Sequence, residues 1–150
     1  MDDDQLDVYT DILSGFDLPA VKAITDLALP NVPPMTAIVD TGTTLIILPP
    51  GVAQLIGSLY NAEQNDDGTF NIDCDPSNVP PLTLNIGGTD FVIPSDSLIY
   101  YHDQEKNTCL AGFAQANFPF IILGITFLKN NYVVFDYDTS PAVHIAQAKF

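Results

Sequence analysis

The sequence predicts a mainly β domain with little helix. Most of the chain consists of short apolar stretches separated by turn residues, and only residues 49–61 have convincing helical periodicity. At 150 residues the chain is long enough for one domain with a substantial core. No internal repeat or low-complexity linker divides it. We therefore expect strands, rather than helices, to position the functional side chains.

The predicted elements follow one another in a simple order. The stretch 36–42 is predicted as a strand that enters a loop. The helix over 49–61 begins at prolines and carries its apolar residues on one stripe, namely Val52, Leu55, Ile56 and Leu59. The remaining elements are a strand after an Asp-Gly turn within 65–74, a hairpin over 82–93 turning at Gly87 and Gly88, a continuous buried strand over 120–128, and a hairpin over 131–147 turning at Asp138 to Pro141.

The charge of the chain excludes several classes of partner. The net charge is −15, with four lysines and no arginine. Nucleic acids and anionic membranes attract cationic side chains, so we expect neither as a partner. No stretch is long and apolar enough to predict a membrane span, and the acidic start does not resemble a signal peptide. The acidity is equally consistent with plain solubility and with work at low pH.

The sequence contains no recognisable metal-binding motif, and we predict no metal site and no cofactor. Cys74 and Cys109 fit no metal or redox motif, which leaves two free thiols or one disulfide. His102 and His144 lack partners at ligand spacing, and His144 alternates with apolar residues as a strand residue does. The acidic pairs 66–67 and 73/75 lack the surrounding twelve-residue loop of a calcium site.

One carboxylate stands where an apolar strand ends. Asp40 follows Ala-Ile-Val and precedes Thr-Gly-Thr-Thr. A charge withdrawn from water is costly unless nearby groups hydrogen-bond it. Thr41, Thr43 and Thr44 offer hydroxyls, and Gly42 allows a backbone N–H to approach closely. The surroundings of Asp40 are therefore those of a held, chemically useful acid, although an Asp-Thr-Gly triplet alone is a weak signal.

Three blocks of sequence raise Asp40 above chance, namely 38–44 (Ile-Val-Asp-Thr-Gly-Thr-Thr), 122–124 (Ile-Leu-Gly) with 127–128 (Phe-Leu), and 132–136 (Tyr-Val-Val-Phe-Asp). As a set they resemble the C-terminal lobe of the pepsin-like aspartic endopeptidases, and a fungal member is the expected type. Residues 36–150 resemble this catalytic lobe, which implies one lobe of the family's double-barrel fold with one or two short helices. Residues 1–35 match poorly, and interlobe strands are one interpretation of them. Ile125 stands where many members carry Asp, so the resemblance does not fix the working pH.

The resemblance implies a role for each matching residue. Asp40 would be the catalytic carboxylate, Thr41 would lock its loop against the other lobe, and Thr43 would hydrogen-bond the carboxylate. Residues implied to contact substrate are Gly42, Thr44, Ile47 and Ile122. The resemblance also implies a disulfide between Cys74 and Cys109, no cofactor, and a secreted or vacuolar/lysosomal location.

Family chemistry needs two carboxylates, and this chain has a single Asp-Thr-Gly triplet. The favoured hypothesis is the C-terminal half of an aspartic endopeptidase that cleaves peptides near hydrophobic residues, with an N-terminal lobe as its partner. A second hypothesis is a one-lobe enzyme that completes the dyad with a second copy of the chain. A third is a catalytically inactive lobe that serves folding, inhibitor binding or interaction.

Overall fold

A computed structural model describes residues 21–29, 32–136 and 142–147 of the chain. Twelve strands and three α-helices make up this part of the molecule. The strands are β1 Val21–Leu29, β2 Val32–Asp40, β3 Ile46–Leu48, β4 Glu63–Gln64, β5 Thr69–Ile72, β6 Leu82–Ile86, β7 Thr89–Ile93, β8 Ile99–Asp103, β9 Thr108–Gln115, β10 Ile121–Leu123, β11 Asn131–Asp136 and β12 Ala142–Gln147. The α-helices are α1 Pro50–Leu59, α2 Ser95–Leu98 and α3 Ile125–Leu128, and a single 3-10 turn spans Pro76–Asn78. The prediction of a mainly β fold is confirmed.

Ten of the strands form one continuous sheet. Its order is β4-β5-β9-β3-β10-β2-β1-β6-β7, and β8 pairs with β9 beside this path. Most neighbours are antiparallel, but β10 runs parallel to β2 and β3 runs parallel to β9. The strands β11 and β12 form a separate two-stranded sheet. The strand that ends at Asp40 therefore lies in the interior of the large sheet, between β1 and β10.

The core is apolar and contains a cluster of aromatic rings. The rings of Phe70 and Tyr60 lie 5.3 Å and 5.9 Å from that of Phe113, between centroids. The Tyr60 hydroxyl donates to the carbonyl oxygen of Pro80, and burial raises the pKa of Tyr60 to about 12. A hydrogen-bonded hydroxyl at the edge of this cluster satisfies the one polar atom that Tyr60 brings into it.

The helix is confirmed, but the predicted buried stripe is partly wrong. The residues of α1 that are buried are Ala53, Ile56 and Gly57, whereas Leu55 and Leu59 are 39% and 47% exposed. Positions 53, 56, 57 and 60 recur at helical spacing and face β9 and the aromatic cluster, so the true stripe is rotated from the predicted one. Small residues at 53 and 57 let the helix approach the sheet, a feature that an apolar count overlooks. Among the described residues no helix is long and apolar enough to cross a membrane.

The apolar run 120–128 is a strand followed by a helix, so its prediction as one continuous strand is wrong. β10 ends at Leu123, and α3 begins at Ile125. Gly124 separates them, and a side chain there would collide with the carbonyl oxygens of Thr43 and Leu45. β10 and the middle of α3 are buried, whereas Ile125 at the start of α3 is 46% exposed. Periodicity alone does not distinguish a short apolar strand from a short apolar helix.

The predicted hairpins are largely confirmed. β6 and β7 pair in antiparallel register across Gly87 and Gly88, whose φ angles of 59° and 85° suit a two-residue hairpin turn. β11 and β12 also pair antiparallel, while their predicted turn at 138–141 lies outside the described residues. Near the other edge of the sheet, the N–H of Gly68 donates to Asn65 before β5, which confirms the Asp-Gly turn.

Cys74 and Cys109 form a disulfide, as the resemblance implied. Cys109 lies in β9 opposite Ile72 of β5, and Cys74 follows that strand by two residues. The bond therefore fixes the segment after β5 to the start of β9.

We predict that replacing both cysteines with alanine lowers the free energy of unfolding by about 4 kcal/mol, the loop-closure value for a separation of 35 residues. Urea denaturation of the double variant and of the reduced wild-type chain should give the same loss. Two free thiols, detected by mass spectrometry in protein prepared without reductant, would contradict the bond.

The rotated stripe of α1 also makes a prediction. Ile56→Ala should lower the free energy of unfolding by about 2–5 kcal/mol, because Ile56 is fully buried. Leu55→Ala is the matched control, and it should cost less stability than Ile56→Ala because Leu55 is 39% exposed. Equal losses of stability in the two variants, measured by urea denaturation, would instead support the stripe that periodicity predicted.

Candidate active site

Asp40 is carried to its position by a buried strand. Ala37, Ile38 and Val39 are each at most 1% exposed, and Asp40 is the last residue of the strand they form. The parallel register aligns Val39 with Leu123, so β2 and β10 end side by side. Because β2 is fixed on both sides, the backbone of Asp40 is held by the sheet rather than by a loop. The carboxylate itself is only partly buried.

Both oxygens of the Asp40 carboxylate accept hydrogen bonds from the loop that follows. The backbone N–H of Gly42 donates to Oδ1 at 2.8 Å, and the Thr43 hydroxyl donates to Oδ2 at 2.7 Å. Two donors, one to each oxygen, fix the orientation of the carboxylate. The sequence-based expectation that this loop supplies such bonds thus matches the geometry for Gly42 and Thr43.

Thr41, Gly42 and Thr44 are exposed around the carboxylate, whereas Thr43 is partly buried against it. Thr43 therefore directs its side chain to Asp40 and Gly42 its backbone N–H, whereas Thr41 and Thr44 are exposed to solvent. The exposed groups are free to meet a molecule that approaches the carboxylate from outside.

Ile47 and Ile122 are brought together as direct cross-strand partners in the antiparallel pair of β3 and β10. Ile47 is half-buried, and Ile122 is 6% exposed and also lies beside Ile38 of β2. In the described part of the chain, Ile122 therefore packs within the sheet and offers little surface of its own.

The sequence prediction missed the hydrogen bonds between the loop after Asp40 and the segment that begins at Ile125. The N–H groups of Ile125 and Thr126 donate to the carbonyl oxygens of Thr43 and Thr44, at 2.8 Å and 2.9 Å. The Thr126 hydroxyl adds a third bond to the Thr44 carbonyl, at 3.1 Å. A threonine inside the apolar run 120–128 was the available signal, since a buried hydroxyl needs a partner.

The remaining acidic candidates form local turns. Asp67 accepts hydrogen bonds from the hydroxyl and the N–H of Thr69, in that order of effect, and these bonds lower the pKa of its carboxyl group. The N–H and the hydroxyl of Ser77 lower the pKa of Asp75 in the same way. Both carboxylates therefore stabilise local turns of the chain.

One cluster in the described residues has the composition of a metal site. Ligand atoms of Cys74, His102 and Cys109 lie within 4.8 Å of one another. Both sulfurs belong to the disulfide, so neither is a thiolate that could ligate a metal while that bond is intact.

A shallow groove of about 330 Å³ lies elsewhere on the surface, near β8 and β9. None of the predicted site residues contributes to it. Its lining consists of Asn65, Asn71, Tyr101, Asp103, Lys106, Thr108 and Leu110.

Comparison with known proteins identifies close similarity to one family. Residues 23–148 match the family described as eukaryotic aspartyl protease. The chain is 53% identical to Rhizopuspepsin-4 of Rhizopus niveus over 111 residues, which cover 74% of this chain and 27% of that protein. It is 47% identical to Syncephapepsin of Syncephalastrum racemosum, over 75% of this chain and 28% of the relative. An acid protease of Saccharomycopsis fibuligera is 33% identical over 76% of this chain and 29% of its own length.

The chain thus spans between a quarter and a third of the length of these relatives. The family match covers most of the described residues, including Asp40, its loop and the α3 segment beneath it. This chain belongs to the eukaryotic aspartyl protease family, whose pepsin-like fungal members it resembles.

Proposed function

We propose that this chain is the C-terminal half of an aspartic endopeptidase and supplies one of two catalytic aspartates. The observation that carries the proposal is the Asp40 carboxylate, which accepts a bond at each oxygen and stands at the end of an interior strand. The substrate would be a peptide with hydrophobic residues near the bond that is cleaved.

The proposed chemistry requires a second carboxylate close to Asp40. Two like charges at short distance do not both ionise readily, so one carboxyl stays protonated while the other acts as base. The ionised group takes a proton from water, which attacks the peptide carbonyl. The protonated group donates to the developing oxyanion. One carboxylate fills only one of these roles at a time.

Each residue of the loop receives a role in this proposal. Thr43 orients the carboxylate through its 2.7 Å bond to Oδ2. Thr41, which is exposed, meets the matching loop of the other lobe. Gly42 and Thr44 bind the substrate backbone in this proposal. Ile47 and Ile122 line the subsites for its apolar side chains.

An N-terminal lobe is the proposed partner. The outer face of the β11–β12 sheet supports this, because it exposes Tyr132 (71%) and Val134 (42%) beside each other on β11. Their cross-strand partners are Ala146 and His144. Contiguous exposed apolar side chains of this kind mark surfaces that another part of a protein covers. The relatives, more than three times as long as the matched region, have room for such a lobe.

A secreted or vacuolar/lysosomal location completes the proposal. The Cys74–Cys109 disulfide supports it, since such bonds persist in oxidising compartments.

Asp40→Asn should abolish peptide hydrolysis in the assembled enzyme while the fold is retained, because an amide is not a base. Thr43→Ala should lower kcat by about 10- to 100-fold, since only a supporting bond to the carboxylate is lost. Cleavage of a peptide with apolar residues around the scissile bond measures both effects. Asp66→Asn is the matched control, because it removes the same charge from an exposed position and should leave cleavage unchanged. Substantial activity in Asp40→Asn would remove Asp40 from the mechanism.

The chain alone and dilute should not cleave this peptide. Activity should appear when the N-terminal lobe is added and should saturate at a ratio of one to one, because each lobe supplies one carboxylate. Peptide cleavage across a concentration series, with sedimentation in parallel, makes the measurement.

Other outcomes of that series decide between the alternatives. Specific activity that rises with the concentration of this chain alone would replace the two-lobe proposal with a homodimer. No cleavage with any partner would favour a non-catalytic lobe. Dimerisation without cleavage would reflect only the exposed apolar face.

A further inference from the structure

Three polar side chains are buried in the described part of the chain, and they form one connected network. Ser97 and Thr126 are each 2% exposed, and Asn130 is 6% exposed. The Asn130 amide Nδ2 donates to the Ser97 hydroxyl oxygen at 2.9 Å and to the Thr126 carbonyl oxygen at 3.2 Å. The Thr126 hydroxyl donates in turn to the carbonyl oxygen of Thr44. The network therefore links α2 and the segment after α3 to the Asp40 loop.

The network ends one residue from the group that touches the carboxylate. Thr44 follows Thr43, whose hydroxyl donates to Asp40 Oδ2 and whose carbonyl accepts from the N–H of Ile125. A displacement of Thr44 would thus displace the donor to Asp40. Because α3 is only four residues long, it has few internal hydrogen bonds to fix its own position. Asn130 supplies an external one at the Thr126 carbonyl.

Buried polar groups are costly to keep, even when they are bonded, and valine would fill the space of Thr126 without that cost. Packing therefore does not explain the hydroxyl at this position. The direction of the hydroxyl explains it, because the hydroxyl donates to the loop whose Thr43 hydrogen-bonds Asp40.

We propose that Thr126 and Asn130 are positioning residues that hold the loop 41–45 in the arrangement in which Thr43 hydrogen-bonds Asp40. Thr126 acts on the loop directly, and Asn130 fixes Thr126 by connecting it to Ser97. The consequence for catalysis rests on the proposed function, but the effect on the loop does not.

The first test uses the chain by itself and measures the loop without any activity. In Thr126→Val, amide hydrogen exchange at Ile125, whose N–H donates to Thr43, should become faster by about fivefold. Exchange at Leu84, in the core of β6, should stay as in the wild type, which separates local loosening from global destabilisation. Thr126→Ser keeps the hydroxyl and should restore wild-type exchange at Ile125. Thr89→Val, on the exposed edge strand β7, is the control for the substitution itself.

The second test measures hydrolysis by this chain combined with the N-terminal lobe. Thr126→Val should lower kcat by about tenfold at unchanged KM, because small misplacements of a catalytic group slow the chemical step more than binding. Thr126→Ser and Thr89→Val should behave as the wild type. Ser97→Ala, which removes the acceptor of the Asn130 amide, should move exchange and kcat in the same direction by less. It also replaces Thr126→Val in both measurements if that variant does not fold.

The outcomes are distinguishable. Unchanged exchange at Ile125 in Thr126→Val would overturn the positioning role outright. Faster exchange with an unchanged kcat would reduce Thr126 to a structural residue and overturn the catalytic part. If no lobe combination cleaves peptide, the proposed function fails, and the exchange measurement alone decides whether the network holds the loop.

Discussion

The shape of the Asp40 loop depends on a contact between backbones that are about eighty residues apart in the chain. Residues 41–45 have no regular structure of their own, and the N–H groups of Ile125 and Thr126 bind the carbonyl oxygens of Thr43 and Thr44. This approach is possible only because Gly124 has no side chain to collide with the same loop. The contact gives the carbonyl oxygens of Thr43 and Thr44 hydrogen-bond partners, which avoids the cost of unpaired backbone groups. It also fixes the shape of the loop. That shape places the hydrogen-bond donors of Gly42 and Thr43 beside the Asp40 carboxylate.

The sheet order explains how such distant segments meet. β10 lies beside β2 in parallel register and beside β3 in antiparallel register, so it separates the strand before the loop from the strand after it. The loop must therefore pass over the end of β10, where Gly124 and α3 begin. A change in the register of β10 by one residue would turn its side chains to the opposite face and would move Gly124 from under the loop. The active-site candidate is thus a consequence of strand order as much as of the Asp-Thr-Gly triplet.

Local patterns predicted the local features well. Alternation and the Gly-Gly pair predicted the β6–β7 hairpin, and the threonines after Asp40 predicted a hydroxyl bond to its carboxylate. What failed depends on tertiary context. The run 120–128 is apolar on both sides of Gly124, in β10 and in α3, so its pattern does not reveal the change from strand to helix. The break at Gly124 is needed for the loop it supports. The buried side of α1 follows from small residues that allow close approach, and not from the largest ones. The role of Thr126 is visible only once its partner, 82 residues away, is known.

The groups that position Asp40 belong to this chain, whereas the proposed chemistry also needs a second carboxyl group. Both donors to Asp40 come from its own loop, and the groups that hold the loop come from the same chain. The orientation of the carboxylate is therefore set by hydrogen bonds from within this chain. Under the proposed function, the second lobe supplies the second carboxyl group, and with it the acid or base that Asp40 does not provide. The geometry of Asp40 is already set by this lobe.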